Sequence, residues 1–132
     1  SRGLGDVYKR QPHDVMQLIK DSEKNGCKVF IAAAGMAAHL AGAVAAHSTK
    51  PVIGIPIESG GMGGIDSLLS TAMMPPGVPV ATVAIGKSGA KNSAILAVQI
   101  LATSDKVLSQ KLVEYKQNMR SEVLERDKKL NS

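Results

Sequence analysis

Three short, continuous runs of apolar residues constrain the fold of this chain more than any other feature. The runs are "KVFIAA" (28–33), "PVIGIPI" (51–57) and "VATVAI" (80–85). Each has the length and the β-branched content of a strand that is buried on both faces. Each is followed by a glycine-bearing loop and then by a segment with helical character. Strands that alternate with helices predict an α/β sandwich with a parallel sheet and right-handed crossovers.

The segments around these runs predict five helices. Pro12 suits the first turn of a helix, and Gly26 is placed to end it. An alanine-rich helix is predicted over 36–47, with His39 in its first turn or so. Further helices are predicted for "IDSLLSTA" (65–72), for "AKNSAILAVQILAT" (90–103) and from residue 104 onward.

The last of these helices carries an apolar stripe at a spacing of three to four residues. The stripe consists of Leu108, Leu112, Tyr115, Met119 and Val123. A helix of about 25 residues is about 37 Å long, which exceeds the width of a small domain. We therefore expect it to pack on a neighbouring subunit. A helix folded back on its own sheet, or a frayed tail, is the alternative.

The ligand site of a parallel α/β sheet lies at the carboxyl ends of its strands. Three glycine-bearing loops, "AAAGMAAH", "ESGGMGG" and "GKSGAKN", are predicted to converge there. His39 is the side chain of most interest in these loops, because histidine can exchange a proton near neutral pH. The residues alone leave open whether His39 is a chemical group or a histidine satisfied by a backbone carbonyl. His13 and His47 are predicted to be surface residues.

Other polar residues near these loops have plain structural explanations. Glu58 and Asp66 flank the second glycine loop and could form a carboxylate pair, but Asp66 could equally cap a helix. Lys87 precedes a helix and could meet an anion. We favour a cap for Asp66 and a solvated side chain for Lys87.

Composition narrows the class of partner. The net charge is +5, but acidic residues are interspersed among the basic ones, which is typical of a solvated surface. Almost no aromatic residues lie among the basic residues to stack on bases, so we expect no nucleic-acid partner. The apolar stretch 29–46 is half alanine and has a histidine near its centre, which argues against a membrane span. Cys27 is the single cysteine and the first residues resemble no secretory signal, so a cytoplasmic protein is expected.

The segments "AAAGMAAHLAG" and "KPVIGIPIESGGMGGIDSLLSTAMMPPGVPVATVAIGKSGAKNSAILAVQILA" strongly resemble the PurE family of N5-carboxyaminoimidazole ribonucleotide mutases. The resemblance runs essentially without gaps over residues 12–124. The "AAHL" loop is similar to that of the bacterial mutase class. The resemblance implies a flavodoxin-like three-layer α/β/α sandwich, assembled as a homo-octamer with each active site at a subunit boundary.

The resemblance also implies a reaction in purine biosynthesis that uses no metal and no organic cofactor. The carboxylate of N5-carboxyaminoimidazole ribonucleotide moves from the exocyclic nitrogen to C4 of the ring, through carbon dioxide that is released and recaptured. By the same resemblance, His39 is a pocket histidine. The other residues implied to bind the substrate are Arg10, Ala34, Gly35, Met36 and Leu40.

Two family elements have no full counterpart in this chain. The family opens with a strand ending in "GSxSD", which holds the ribose phosphate, and a second strand ends in "SAHRTP", whose histidine shuttles the proton. Here "VYKRQP" (7–12) stands in the second position, with Arg10 in register and Lys9 in place of the histidine. An ordinary lysine has a pKa of about 10.4, so it would stay protonated at neutral pH.

We therefore expect an N-terminally truncated member of the family, with residues 1–11 foreign to it, an incomplete α/β domain over 12–103 and a C-terminal helix over 104–132. Without its first strand the sheet would expose the edge of "KVFIAA", so poor solubility and impaired activity are expected. The alternatives are a non-catalytic remnant that serves assembly or ligand binding, and a related carboxylase that acts on a different ring.

Overall fold

The computed structural model describes residues 12–35, 39–59 and 61–132. The helices are α1 (Pro12–Lys24), α2 (Leu40–His47), α3 (Ile65–Ala72), α4 (Lys87–Ala102) and α5 (Lys106–Leu130). The strands are β1 (Phe30–Ala34), β2 (Val52–Pro56) and β3 (Ala81–Thr82). The chain forms two compact units, with the boundary between Ala97 and Val98.

The three strands form one parallel sheet in the order β1, β2, β3. Phe30 pairs with Val52 and Ala34 with Pro56 in the first ladder, and Ile53 pairs with Ala81 in the second. With helices joining successive parallel strands, this is the α/β architecture of the flavodoxin-like type that the sequence predicts.

Helices α2 and α3 lie on the same face of the sheet. A Cβ on Gly54, in the middle of β2, would overlap the side chain of Thr71 in α3 and come within 3.3 Å of the Ala41 Cβ in α2. Glycine therefore lets both helices approach the central strand closely. All five residues of β2 are buried, as predicted for a strand covered on both faces.

Strand β1 departs from that prediction. Only Ala32 is fully buried, whereas Ile31 is 36% exposed and Ala33 is also exposed. The physical reason is position: among the described residues β1 pairs with β2 on one side and with no strand on the other. The expected exposure of an apolar sheet edge is thus confirmed within the described part of the chain.

The third strand is shorter and more exposed than "VATVAI" predicts, and Pro56 explains its length. The register of β2 and β3 would next pair Ile55 with Val83, and that pair would need a hydrogen bond from the nitrogen of residue 56 to the Val83 carbonyl. Proline has no N–H, so the regular ladder ends. The Pro56 carbonyl instead accepts from the Gly86 N–H at 3.0 Å, one residue later than the register requires.

The core of the first unit is built between α1, α2 and the sheet. It consists of Val15, Ile19, Ala32, Leu40, Ala41, Val44 and Val52. Beside it lies a groove of about 560 Å³ that is lined mainly by residues of α1 and by residues in and just before β1. Among the predicted site residues that the structure describes, only Leu40 lines this groove, so the groove is not the candidate site.

The second unit contains the long helix that the sequence predicts. Asp105 caps α5, and its carboxylate accepts hydrogen bonds from the N–H groups of Val107 and Leu108 at 3.0 and 3.1 Å. In the predicted apolar stripe Leu108, Leu112 and Tyr115 are half-buried. The stripe then continues as exposed residues at Met119 and Val123.

Candidate functional site

Two hydrogen bonds join the loops at the carboxyl ends of the strands. The N–H of Ile57, one residue beyond β2, donates to the carbonyl of Ala34, the last residue of β1, at 3.1 Å. On the other side of β2, the Gly86 N–H donates to the Pro56 carbonyl at 3.0 Å. The predicted convergence of the three glycine-bearing loops on one edge of the sheet is confirmed.

The first and second loops touch at Gly35 and Ser59. A Cβ on Gly35 would come within 2.5 Å of the Ser59 Oγ and 2.8 Å of the Ser59 Cβ. Real Cβ atoms essentially never approach other atoms so closely, so only glycine fits at residue 35 unless Ser59 shifts. Gly35 therefore brings the Ser59 side chain directly against the loop that the sequence predicts to bind substrate.

Ser67 fixes the second loop from the side of α3. Its hydroxyl donates to the Ile57 carbonyl at 2.6 Å, and the residue is only 1% exposed. Both backbone groups of Ile57 are thus hydrogen-bonded. Its N–H donates to the Ala34 carbonyl, and its carbonyl accepts from the Ser67 hydroxyl. Sequence reasoning missed Ser67, because a hydrogen bond between residues ten positions apart leaves no periodic signal.

The third loop packs on the second at Gly64 and Ile85. A Cβ on Gly64 would lie 2.5 Å from the Ile85 Cγ2, and Gly64 has a positive φ of 88°. Gly64 is the N-cap of α3 and makes no side-chain capping bond. The loops at this edge are therefore connected by two hydrogen bonds and two close glycine contacts.

His39 lies beside this edge, and the structure corrects its predicted position. It precedes α2 instead of lying in its first turn, and its backbone is left-handed, with φ 41° and ψ 25°. Its carbonyl accepts from the Ala43 N–H at 3.0 Å, while its side chain makes no capping bond and is exposed. Left-handed backbone is uncommon outside glycine, although histidine tolerates it better than most residues. The imidazole is therefore presented to solvent at the start of α2.

Ala34 and Leu40 occupy different environments. Ala34 is half-buried at the end of β1, next to Gly35, and its carbonyl is used by Ile57. Leu40 is 3% exposed, and its side chain belongs to the core with Val44. The structure thus brings Ala34 and Gly35 together at the loop, with His39 and Leu40 at the helix end of the same connection.

Three further predicted site residues, Lys9, Arg10 and Met36, lie outside the described residues. The segment 1–11, predicted to be foreign to the family, lies outside them too, and so does the side chain of His13. His47 is exposed at the end of α2, as predicted.

The predicted cap at Asp66 is wrong, since Gly64 occupies the N-cap and Asp66 lies within the first turn of α3. A carboxylate there still faces the positive end of the helix dipole. Glu58 is exposed in the second loop, and Lys87 is exposed at the first position of α4. Lys87 thus has the solvated position that the sequence favours.

In the ranges that the structure describes, no three His, Cys, Asp or Glu side chains are grouped so as to hold a metal ion. No helix in these ranges combines the length and the apolar character needed to cross a bilayer. What the edge offers chemically is one exposed imidazole beside a loop of backbone groups and small side chains.

Comparison with known proteins points to one family. A family model described as AIR carboxylase matches residues 8–122. The chain is 49% identical to N5-carboxyaminoimidazole ribonucleotide mutase of Escherichia coli (strain K12) over 116 residues, which are 88% of this chain and 69% of that protein. It is 53% identical to the Saccharolobus solfataricus protein of the same name, over 87% of this chain and 72% of that protein. With the Bacillus subtilis mutase, the identity is 49% over 88% of this chain and 72% of the relative.

Proposed function

The chain belongs to the AIR carboxylase family, and from this premise we propose that it takes part in purine biosynthesis as an N5-carboxyaminoimidazole ribonucleotide mutase. The reaction is an isomerisation: the bond from the exocyclic nitrogen to the carboxylate carbon breaks, and a bond from C4 to that carbon forms. C4 loses a proton and the nitrogen gains one. The product is 4-carboxy-5-aminoimidazole ribonucleotide.

Sequence identity over most of the chain carries this proposal, since the 49% identity to the Escherichia coli mutase spans 116 residues. The arrangement of the loop after β1 supports it. Ala34 and Gly35 lie at the carboxyl end of a parallel strand, where α/β sheets bind ligands, and His39 exposes an imidazole four residues later. In the proposal Ala34, Gly35, Met36 and Leu40 line the imidazole and carboxylate pocket, and His39 is its histidine.

Arg10 completes the proposed site as a phosphate-binding residue, through the bidentate geometry that guanidinium groups offer to phosphate. Lys9 stands where the family has its proton-shuttle histidine. An ammonium group that keeps its proton cannot act as a base, so we propose that turnover by this chain is impaired. A non-catalytic protein that retains ligand binding or assembly is the alternative.

The proposal includes a homo-octamer working in the cytoplasm on small molecules: aminoimidazole ribonucleotide, its carboxylated forms and carbon dioxide. The exposed end of the apolar stripe on α5, at Met119 and Val123, supports self-association. So do Ile65, Leu69 and Met73, which follow one another at four-residue spacing along and just beyond α3 and are all exposed. Sedimentation of the purified chain measures the size of the assembly.

Carbon-13 NMR tests the reaction directly. The purified chain is mixed with N5-carboxyaminoimidazole ribonucleotide labelled in its carboxylate, and the signal is followed as the carbon changes from a carbamate to a ring carboxylate. Transfer that exceeds the buffer rate and is lost in His39→Ala supports a mutase. Tight binding of 5-aminoimidazole ribonucleotide without transfer supports the non-catalytic alternative. A chain that shows no binding and no transfer refutes both the mutase and the ligand-binding alternative, and leaves an assembly role alone.

A further inference from the structure

Ser67 is a buried polar residue that fixes the second loop but has no role in binding the substrate so far. It is 1% exposed at the third position of α3. A buried hydroxyl is costly unless it is hydrogen-bonded, and this one donates to a single backbone carbonyl in another segment, that of Ile57, at 2.6 Å. Thr71, one turn later in α3, differs in this respect. Its hydroxyl donates within its own helix, to the carbonyl of Ser67.

The hydrogen bond from Ser67 ties the residue that follows β2 to helix α3. Ile57 still donates its N–H to Ala34, as a further residue of β2 would. Its carbonyl accepts from the Ser67 hydroxyl in α3, so Ile57 is tied both to β1 and to α3. This hydroxyl therefore helps to set the direction in which residues 57–59 leave β2.

That direction places Ser59 against Gly35 with no space for a Cβ between them. Gly35 belongs to the loop that the proposed function assigns to the substrate. A small rotation of the Ile57 peptide would move Ser59 relative to Gly35 and change the width of the pocket. Ser67 itself is too deeply buried to touch a ligand.

We propose that Ser67 is a positioning residue for the substrate pocket, acting through the Ile57 carbonyl on the contact between Ser59 and Gly35. This inference rests on the proposed function for the identity of the ligand. It adds a residue that does not contact the substrate and yet controls the affinity of the pocket for it.

A matched pair of substitutions isolates the hydroxyl. Ser67→Thr and Ser67→Val add side chains of nearly the same shape, and only threonine keeps the donor. We expect Ser67→Thr to bind 5-aminoimidazole ribonucleotide within about threefold of the unmodified chain, and Ser67→Val to bind it about tenfold more weakly, as measured by calorimetry. Ser67→Ala should weaken binding to a similar extent.

Ser93→Ala is the control for a general loss of stability. Ser93 is also buried, at 2% exposure, but its hydroxyl donates to the Ala90 carbonyl within α4 at 2.7 Å. Its loss should lower the unfolding midpoint without changing the affinity. Equal weakening by Ser93→Ala and Ser67→Ala, or equal affinity of the Thr and Val variants, overturns the proposal.

Hydrogen exchange separates failure of this inference from failure of the proposed function. The Ile57 amide, which donates to Ala34, should exchange faster in Ser67→Val than in Ser67→Thr, with no ligand present. If the unmodified chain binds no 5-aminoimidazole ribonucleotide, the proposed function fails, and the exchange rates alone decide whether Ser67 positions the loop. Equal exchange in the two variants rejects that role.

Discussion

Gly64 lies against the side chain of Ile85, so closely that a Cβ on residue 64 would sit 2.5 Å from the Ile85 Cγ2. The same residue has a φ of 88°, in the left-handed region. Two independent requirements for glycine therefore coincide at the contact between the second and third loops.

Gly64→Ala should reduce the free energy of unfolding by about 2 to 4 kcal/mol. The left-handed backbone accounts for about 1 to 2 kcal/mol of this for any residue with a Cβ, and overlap with Ile85 accounts for the rest. Gly61 provides the control, because its φ is 75° but nothing lies within 4 Å of its Cβ position. Urea unfolding should show a loss of only about 1 to 2 kcal/mol for Gly61→Ala. Equal losses would mean that Ile85 moves aside without cost.

His39 combines a strained backbone with the proposed chemical group, so stability and activity should respond differently to its replacement. His39→Gly and His39→Ala both remove the imidazole, but only glycine adopts φ 41° without strain. We expect the glycine variant to be more stable than the alanine variant by about 1 kcal/mol in urea unfolding. Both should lose carboxylate transfer to the same degree. A more stable alanine variant would show that the left-handed backbone at residue 39 is not strained.

The edge of β1 that pairs with no described strand should control aggregation. Ile31→Lys places a charge on an exposed position of an apolar edge strand, which opposes edge-to-edge pairing. Light scattering on warming should begin at a higher temperature or protein concentration than for the unmodified chain. Ala32→Lys, one residue away and facing the core, should instead destabilise the fold, because it buries an unpaired charge. Unchanged scattering in Ile31→Lys would exclude this edge as the site of association.

The N-cap of α5, Asp105, should contribute measurably to the stability of the second unit. Asp105→Ala removes the acceptor for Val107 and Leu108 and should cost about 1 kcal/mol, seen as lower helicity and earlier melting by circular dichroism. Asp105→Asn keeps a good capping oxygen and should lose only a few tenths of that. An alanine variant that melts like the asparagine variant would mean that the first turn of α5 finds other partners.

The sequence predicts much of the fold because periodicity and turn residues are local signals. Helix α3 was expected over "IDSLLSTA" and is found at those residues, and β2 is buried throughout, as a continuous apolar run predicts. The apolar run around Ile31 by itself predicts a strand buried on both faces, and only the family resemblance, through the missing first strand, predicts the exposed edge that the structure shows. The early end of β3 depends on Pro56, which lies in a different strand, so "VATVAI" by itself gives no sign of it.

The sequence also predicts part of the candidate site. The position of the three loops follows from the topology, and Gly35 follows from its place after β1. The left-handed backbone of His39 and the bond from Ser67 to Ile57 arise only when separate segments pack together. Resemblance to a family supplies the roles of the site residues, and those roles stay predictions: Arg10, Ala34, Gly35, Met36, His39 and Leu40.

The two hydrogen bonds that hold the loops at the carboxyl edge also divide the chain into places that can and cannot be lengthened. Ile57 directly follows β2 and Gly86 directly precedes α4, so residues inserted between Pro56 and Ile57, or between Thr82 and Gly86, would displace the donor of the bond to Ala34 or to Pro56. At the turn before β3, Gly77 is exposed with open space around it. A fluorescent label or an affinity tag should therefore be grafted at this turn, where it leaves the site at the other edge unaltered.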